Sequence, residues 1–401
     1  MKVPFARPSC TGNELAYVRE VLESGWLTTG PKVAEFEKRF AASVGARHAL
    51  AVNSCTAALH LACEAAGVGP GSRVVVPTLT FTSTAEVVRY LGGEVVLADV
   101  DPRTGLLTNQ TLGQTLERAR DIDVVIPVHF AGRAARMRGD TDDPGLLDLC
   151  ESEGLRVIED AAHAFPTNYE CKAEGRVGNL DETISCFSFY ANKTMTTGEG
   201  GMLVTNDSKV AERVKRMRLH GIDRDAWNRF TTDSATWEYD VIAAGYKYNM
   251  PDIAAAIGLA QLEQAEEFRT RRQAIVEQYF DRLSDTPGVR LPEAPDSNDD
   301  HSWHLFVIMI EDNSSRDRNA FIEDLGKRGV GSSVHYKPLH RMSYWSASNG
   351  VTPEQYPGAE RWWRGCLSLP LFPSMSQAEL DHVCDSVISI AAQRPAVSTT
   401  R

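Results

Sequence analysis

Several things are scarce in this chain, and each scarcity removes a class of protein. No stretch is long and apolar enough to span a bilayer, and the opening MKVPFARPSCTGNE has no hydrophobic core of the kind a secretory signal needs. The reading is therefore a cytoplasmic protein with no membrane partner. Basic charge is in deficit, with 42 Lys and Arg against 54 Asp and Glu and a formal net charge of −12. Nucleic acid needs a concentrated positive face, so it is not an expected partner. A small anionic metabolite remains compatible, because a pocket needs only a few local donors. The eight cysteines are dispersed, at Cys10, Cys55, Cys63, Cys150, Cys171, Cys186, Cys366 and Cys384, and no two form a C-x-x-C pair. A chain of 401 residues needs no disulfide staples. These thiols read as mostly buried small apolar side chains in a reducing compartment. Internal repeats and low-complexity tracts are missing too.

What is present is an alternation of strand and helix signals. Thr11-Gly12-Asn13-Glu14 reads as a capping box that opens an amphipathic helix through Leu15, Val18, Val21 and Leu22, ending at Gly25. A second helix from about Lys32 places Val33, Phe36 and Phe40 on one face and ends near Gly45. HALAV (48–52), RVVVP (73–77), EVVLA (94–98), DVVIPV (123–128) and LRVIE (155–159) read as strands buried on both faces. Helical stretches such as 56–66 and 82–91 lie between them. That order predicts right-handed β-α-β crossovers and a mostly parallel sheet with helices on both sides. The rhythm changes near residue 250. Residues 251–284 form one long helical pattern opened by a proline. A strand at 303–310, a helix near 317–328, an extended segment at 331–336 and a last helix near 376–392 follow. The expectation is an α/β fold: a large domain over 1–250, a smaller C-terminal α+β domain over 251–401, and a disordered tail RPAVSTTR.

The segment Ser185–Asn206 carries the most chemistry. Lys193 sits between two strand-like runs, and Gly198, Gly200 and Gly201 follow it. Glycines there allow backbone to approach a bound group closely. A partly desolvated lysine in such a loop can lose its proton and attack a carbonyl. Gly198-x-Gly200 is no dinucleotide fingerprint, because a strand follows it and not a helix. Asp160 closes the strand LRVIED, at the carboxyl end of the sheet where open α/β folds bind ligands. A carboxylate there can keep a pyridine nitrogen protonated, and His163 could touch the same ring. Ser54-Cys55-Thr56-Ala57 follows HALAV and opens a helix, a ready anion site. Phe81 could stack on a flat ring. Each feature taken singly has a plainer reading: a solvated lysine, an aspartate or serine helix cap, a core phenylalanine. His301-x-x-His304 and His335…His340 have no acidic or cysteine companions at zinc spacing, so no metal is expected.

Together the segments SGWLTTGP (24–31), NSCTAALHLA (53–62), PTLTFTSTAE (77–86), IEDAAHA (158–164), SFYANKTMTTGEGG (188–201), GYKYNMPDIAAAIGLAQLE (245–263), SVHYKPLH (333–340) and SLPLFPSM (368–375) resemble, in order and over nearly the whole chain, the DegT/StrS family of pyridoxal-phosphate (PLP) aminotransferases. The resemblance implies the fold-type I aminotransferase architecture, PLP as cofactor, a homodimer with shared sites, and amination of a nucleotide-linked keto-sugar by an amino acid such as L-glutamate. It assigns Lys193 to the lysine that holds PLP as a Schiff base and shuttles the proton. Asp160 takes the partner of the ring nitrogen, and His163 the neighbour of the ring's phenolic oxygen. Thr56, Ala57 and Ser188 match the phosphate cradle, and Phe81 the stacking aromatic. The loop 245–250 matches one that reaches the partner subunit's phosphate. Many members read G-Y-N-x-R there and this chain reads Gly245-Tyr246-Lys247-Tyr248-Asn249, so Asn249 is the contact with Lys247 as competitor. Thr28, His220, His335 and Tyr336 fall in segments resembling substrate contacts. The stretch 222–240 reads as a loop at the site mouth or a packing loop.

Rival readings share these motifs. A sugar dehydratase of the same family would carry histidine where Lys193 stands. An aminotransferase for a carbocyclic ketone of the inosose type uses the same residues. A regulator that merely binds PLP would not need both Lys193 and Asp160. GYKYNM and IEDAAHA look closest to members that aminate a 4-keto-sugar on a UDP carrier.

Overall fold

The structure, a computed structural model, describes all residues except 140–143, 171–174, 224–238, 296, 298–300 and 394–401. Cys171, most of the 222–240 stretch and the C-terminal tail thus lie outside the described residues.

Five apolar runs separated by helices become a seven-stranded sheet in the order β1-β7-β6-β5-β4-β2-β3. Its strands are β1 (His48–Val52), β2 (Arg73–Pro77), β3 (Glu94–Ala98), β4 (Val124–Val125), β5 (Arg156–Asp160), β6 (Thr183–Ser188) and β7 (Gly201–Thr205). The pairs β2–β3, β2–β4, β4–β5 and β5–β6 are parallel. Strand β7 alone runs against both its neighbours. The expected 123–128 strand shrinks to two residues. Pro127 has no N–H to donate and interrupts the ladder, although Val128 still bridges Asp160 beyond it.

Helices α1 (Glu14–Ser24), α2 (Pro31–Val44), α3 (Cys55–Ala65), α4 (Ser83–Tyr90), α5 (Asn109–Arg118), α6 (Leu146–Ser152) and α7 (Ser208–Met217) accompany this sheet. Helix α2 buries Val33, Phe36 and Phe40 as its spacing predicts. Its first turn is capped from a distance. The Asp252 carboxylate, opening α8 (Asp252–Leu283), accepts from the amides of Gly30 (2.8 Å), Lys32 (3.1 Å) and Val33 (3.0 Å). Helix α1 departs from its prediction. Asn13 is the cap residue but its side-chain amide donates to Glu263 at 3.1 Å and makes no capping bond, and the Thr11 hydroxyl donates to Gln264 at 3.0 Å. Val21 is buried, whereas Leu15 and Leu22 are exposed. Helix α1 lies along α8, and part of its apolar stripe is left uncovered.

Beyond α8 lie β8 (Val289–Arg290), β9 (Phe306–Ile310), α9 (Arg318–Lys327), α10 (Ser343–Asn349), α11 (Pro357–Gly365), β10 (Cys366–Leu369) and α12 (Gln377–Ala391). The three strands form an antiparallel sheet in the order β10-β9-β8. A second apolar cluster gathers on it, joined by Val276, Tyr279 and Leu283 of α8 and by Val383 and Val387 of α12. The N-terminal segment belongs to this end of the molecule: Val3 exchanges backbone bonds with Gly329 and Gly331, both at 2.8 Å. No helix among the described residues is long and apolar enough to cross a membrane.

Candidate active site

Parallel strands end together, and their carboxyl ends open a cavity of about 520 Å³. Lys193, Asp160, His163, Thr56, Ser188, Phe81, His335 and Tyr336 all line it. Eight side chains singled out from sequence are thus brought to one place from segments up to 280 residues apart, Thr56 to Tyr336.

Asp160 is the last residue of β5, and side chains alternate along a strand. Asp160 therefore faces the cavity while Glu159 faces the other side of the sheet. The Asp160 carboxylate accepts from the Thr84 hydroxyl at 2.8 Å and from the Ala162 amide at 3.1 Å. Thr84 has one proton to give, so its 2.8 Å contact with Thr80 is donated by Thr80. Burial raises the pKa of Asp160, while Thr84, Ala162 and Lys193 pull it back part of the way. Backbone bonds fix the strand end: the Asp160 amide donates to Pro127 at 2.9 Å and its carbonyl accepts from His129 at 3.0 Å.

Glu159 is wholly buried. Its carboxylate accepts from His129 Nε2 (2.6 Å), Tyr169 (2.7 Å), Ser185 (2.8 Å) and Thr183. Burial alone would raise it, but these donors hold it below the usual carboxylate range. His129 Nδ1 accepts from the Ala135 amide at 3.0 Å, which leaves Nε2 carrying the proton.

Lys193 occupies the loop between β6 and β7, its amide donating to Tyr190 at 3.0 Å. Removal from water, opposed by Cys55 and Asp160, lowers its ammonium to about 8. About a tenth of it is then neutral at pH 7. Burial holds His163 neutral, well below the ordinary imidazole value, and Lys193 and His335 act in the same direction. His163 Nδ1 accepts from the Ala131 amide at 3.3 Å, so Nε2 carries the proton and donates to the Tyr336 oxygen at 3.1 Å. The Tyr336 hydroxyl, pushed up by burial and by Asp160, keeps its own proton as a donor.

The anion end is built by a close backbone approach. Ser54 caps α3, its hydroxyl accepting from the Ala57 amide at 3.1 Å. Ala57 is buried beneath the cap, and the first-turn amides of Cys55 and Thr56 have no intrahelical acceptor. Gly201 pairs with Val52 on one side and Ser188 on the other. A Cβ on Gly201 would lie 2.5 Å from the Ser54 carbonyl and 2.6 Å from the Cys55 nitrogen. Only glycine lets β7 pass there, and the helix end and Ser188 thereby meet. Amides, two hydroxyls and the helix dipole suit a phosphate. Phe81, 58% exposed, forms an open wall with room above it for a ring. The cavity fits PLP at each end: a cradle for the phosphate, and Asp160 and Lys193 for the ring nitrogen and the aldehyde.

Besides Ala57, four residues from sequence do not line the cavity in a single chain. Asn249 turns its amide inward, donating to the Thr29 hydroxyl at 2.8 Å, and Lys247 is exposed beside it. Thr28 and His220 are exposed. His220 has a positive φ of 59° and donates its amide to Tyr246 at 2.7 Å. His301 stacks on Trp303, and His340 bonds Thr78 and Glu360. Among the described residues no group of three or more His, Cys, Asp or Glu could hold a metal ion. Sequence reasoning missed Thr84, Cys55, Tyr190, Asn192 and Glu199 as cavity or carboxylate neighbours. All but Thr84 are one to six residues from Thr56 or Lys193. Thr84 stands three after Phe81, at the spacing of one helical turn.

Known proteins place this geometry. The family model for DegT/DnrJ/EryC1/StrS aminotransferases matches residues 8–388. The spore coat polysaccharide biosynthesis protein SpsC of Bacillus subtilis is 40% identical over 390 residues, 97% of each chain. Spr1654 from Streptococcus pneumoniae, designated a sugar aminotransferase and solved in its PMP form, superposes with a TM-score of 0.86 at 29% identity, covering 98% of both chains. A PLP form of Spr1654 matches similarly, with a TM-score of 0.85. Helicobacter pylori PseC, an aminotransferase involved in pseudoaminic acid biosynthesis, gives a TM-score of 0.86 at 25% identity over 98% of this chain and 99% of its own. The order of motifs, the sheet and the lysine–aspartate cavity therefore agree: this chain belongs to the DegT/DnrJ/EryC1/StrS aminotransferase family and is a PLP-dependent sugar aminotransferase.

Proposed function

We propose that the enzyme moves an amino group from L-glutamate to a nucleotide-linked keto-sugar, a 4-keto-sugar on a UDP carrier, with Lys193 and Asp160 as its catalytic pair. One observation carries the reading: a lysine brought to about 8 and a buried, twice-bonded aspartate line the same cavity. When bound, PLP supplies a carbonyl that takes up the donor's nitrogen and a ring that absorbs the electron pair left at the α-carbon. Lys193 Nζ takes the proton from that α-carbon and returns it on the far side of the transfer. Asp160 holds a proton on the ring nitrogen, and Thr84 and Ala162 stop the carboxylate from turning away. Thr56, Ser188 and the free amides at the start of α3 hold the phosphate. Phe81 would stack on the ring, and the His163–Tyr336 pair would meet its phenolic oxygen. His335 and Tyr336 bring the second sheet's side of the molecule to the substrate.

Phe81 and Tyr190 are exposed at the cavity, whose volume of about 520 Å³ supports a substrate larger than an amino acid. We further assign residues 1–250 to cofactor binding and 251–401 to the smaller domain. The site is completed in a homodimer, where loop 245–250 reaches the partner's phosphate. The exposed Lys247 is better placed for that contact than Asn249, whose amide is tied to Thr29.

The test is amination by the purified holoenzyme. L-Glutamate should bleach the cofactor's visible band. A UDP-4-keto-sugar should then restore it and yield the amino sugar faster than dTDP or GDP analogues. Turnover of an inosose with no sugar nucleotide accepted would overturn the substrate assignment.

A further inference from the structure

A second, much smaller void borders the lysine loop. It measures about 10 Å³ and lies between the N-terminal residues 6–9, the loop 191–194 and helix α8. Three of its lining side chains, Ser9, Asn192 and Arg272, each carry a buried polar atom with no partner: Ser9 Oγ, Asn192 Oδ1 and Arg272 Nε. Ser9 is 8% exposed and Arg272 3%. Buried polar atoms are almost always bonded, so three orphans around one void need an occupant.

Their chemistry selects it. Arg272 Nε–H can only donate, Asn192 Oδ1 can only accept, and the Ser9 hydroxyl can do either. The remaining Arg272 bonds go to backbone carbonyls, from Nη1 to Trp303 at 3.2 Å and Leu371 at 2.9 Å. An anion would meet the carbonyl oxygen of Asn192, and a cation would meet the guanidinium. A neutral molecule that accepts once and donates twice satisfies all three. The volume is about that of one water position. The neighbouring bonds run across the same junction: Gln261 of α8 donates to the Ser9 carbonyl at 2.7 Å and accepts from the Thr196 amide at 3.2 Å.

We infer that this void holds one ordered water, accepting from Arg272 Nε and donating to Asn192 Oδ1, with Ser9 Oγ as its third partner, and that it ties the Lys193 loop to α8 and the N-terminal segment. The residue next to Lys193 is thereby fixed through solvent as well as through protein. Ser9 and Arg272 lie outside the cavity and Asn192 lines its edge, so the two outer anchors act on Lys193 only through the position of its backbone.

A high-resolution crystal structure of the holoenzyme, grown with bromide, tests the site. The expected result is a water peak within hydrogen-bond distance of the three atoms and no bromide anomalous signal. An empty void, or bromide in it, overturns the assignment. Ser9→Val fills the void and should expel the water. Amide exchange at residues 191–194 of this variant should then rise about tenfold, the worth of one bridging hydrogen bond, with β2 and β3 unchanged. Loop exchange that stays at wild-type rates after the water is gone overturns the tie. If Ser9→Val does not fold, the wild-type density and the bromide map still decide the site.

Discussion

Lys193 acts as a base only if it can shed its proton, and burial is what makes that possible. A folded-state value near 8, below that of the unfolded chain, means the fold penalises the charged form. The penalty is full below about 8 and fades as pH rises towards the ordinary lysine value of about 10.4. Cofactor-free protein should therefore gain stability relative to Lys193→Met as pH is raised through that window. Thermal melts of the two proteins at pH 7.0 and 9.5 check the sign. Capture of added PLP by the cofactor-free enzyme should speed up with pH and level off above about 8. Lys193→Ala should lose turnover, and borohydride reduction of the wild type should leave the pyridoxyl group on the peptide that carries Lys193. Asp160→Asn keeps the Thr84 and Ala162 geometry nearly intact but removes the charge. Its glutamate half-reaction should slow by about two to four orders of magnitude in stopped-flow absorbance, and a near-normal rate would exclude Asp160 from the ring nitrogen. Lys193, Asp160 and Phe81 were legible because each sits where a strand-like run gives way to glycine or hydroxylic residues. The Thr84 bond was not, since a threonine one turn past Phe81 looks like any helix residue until the sheet brings Asp160 beside it.

Among the elements, the buried strands were read most faithfully. HALAV, RVVVP and EVVLA each match a strand residue for residue, because a sheet covered on both faces demands an unbroken apolar run. Helices with mixed surfaces were harder to see. α5 (NQTLGQTLER) buries only Leu112 and Thr115 and has just two strongly apolar side chains, so its sequence offers little to read. The capping box expected at Thr11 fails for a tertiary reason: α8 offers Gln264, and both Thr11 and Glu14 turn to it. The loop 245–250 belongs to this level too. It departs from the family's common pattern, and its Asn249 side chain is already used within the subunit. Lys247→Ala should weaken PLP binding by about one to two orders of magnitude, the loss of one bond to a charged group. Asn249→Ala should act less, through Thr29. Titration of each cofactor-free variant with PLP separates the two, and a larger loss for Asn249→Ala would reverse the assignment.

Taken as a whole, the molecule presents Leu15, Leu22, Leu27, Tyr90, Val241 and Ile242 to solvent. Scattered exposed apolar side chains are ordinary, but exposed leucines on the amphipathic α1 are what a subunit contact would cover. If each cofactor site borrows Lys247 from the partner, mixing Lys193→Ala with Lys247→Ala gives mixed dimers with one site lacking both groups and one intact. Activity should then rise above that of either parent as subunits exchange. Verified mixed dimers that stay inactive would show that each chain completes its own site. The overall class and the order of elements were readable from sequence because strands and helices alternate at the spacing of crossover units. The homodimer came from the family resemblance alone, because a face that is buried only against a second copy has the same composition as one left in water.

Strand β1 has one more property, concerning how the chain comes to be made. It is an edge strand whose neighbour is β7, with His48 opposite Thr205. During synthesis β1 and the turn after it, proposed to hold the phosphate, emerge early, yet nothing pairs with that edge until residue 205 has left the ribosome. Until then an apolar strand stands unpaired, a template for the wrong partner. Closure of β7 onto it completes the sheet, brings Gly201 against Ser54 and joins the two halves of the proposed phosphate cradle in one event. A nascent chain arrested before residue 205 should therefore hold no PLP and be prone to aggregate, whereas one extended through the sheet has both sides of that cradle in place.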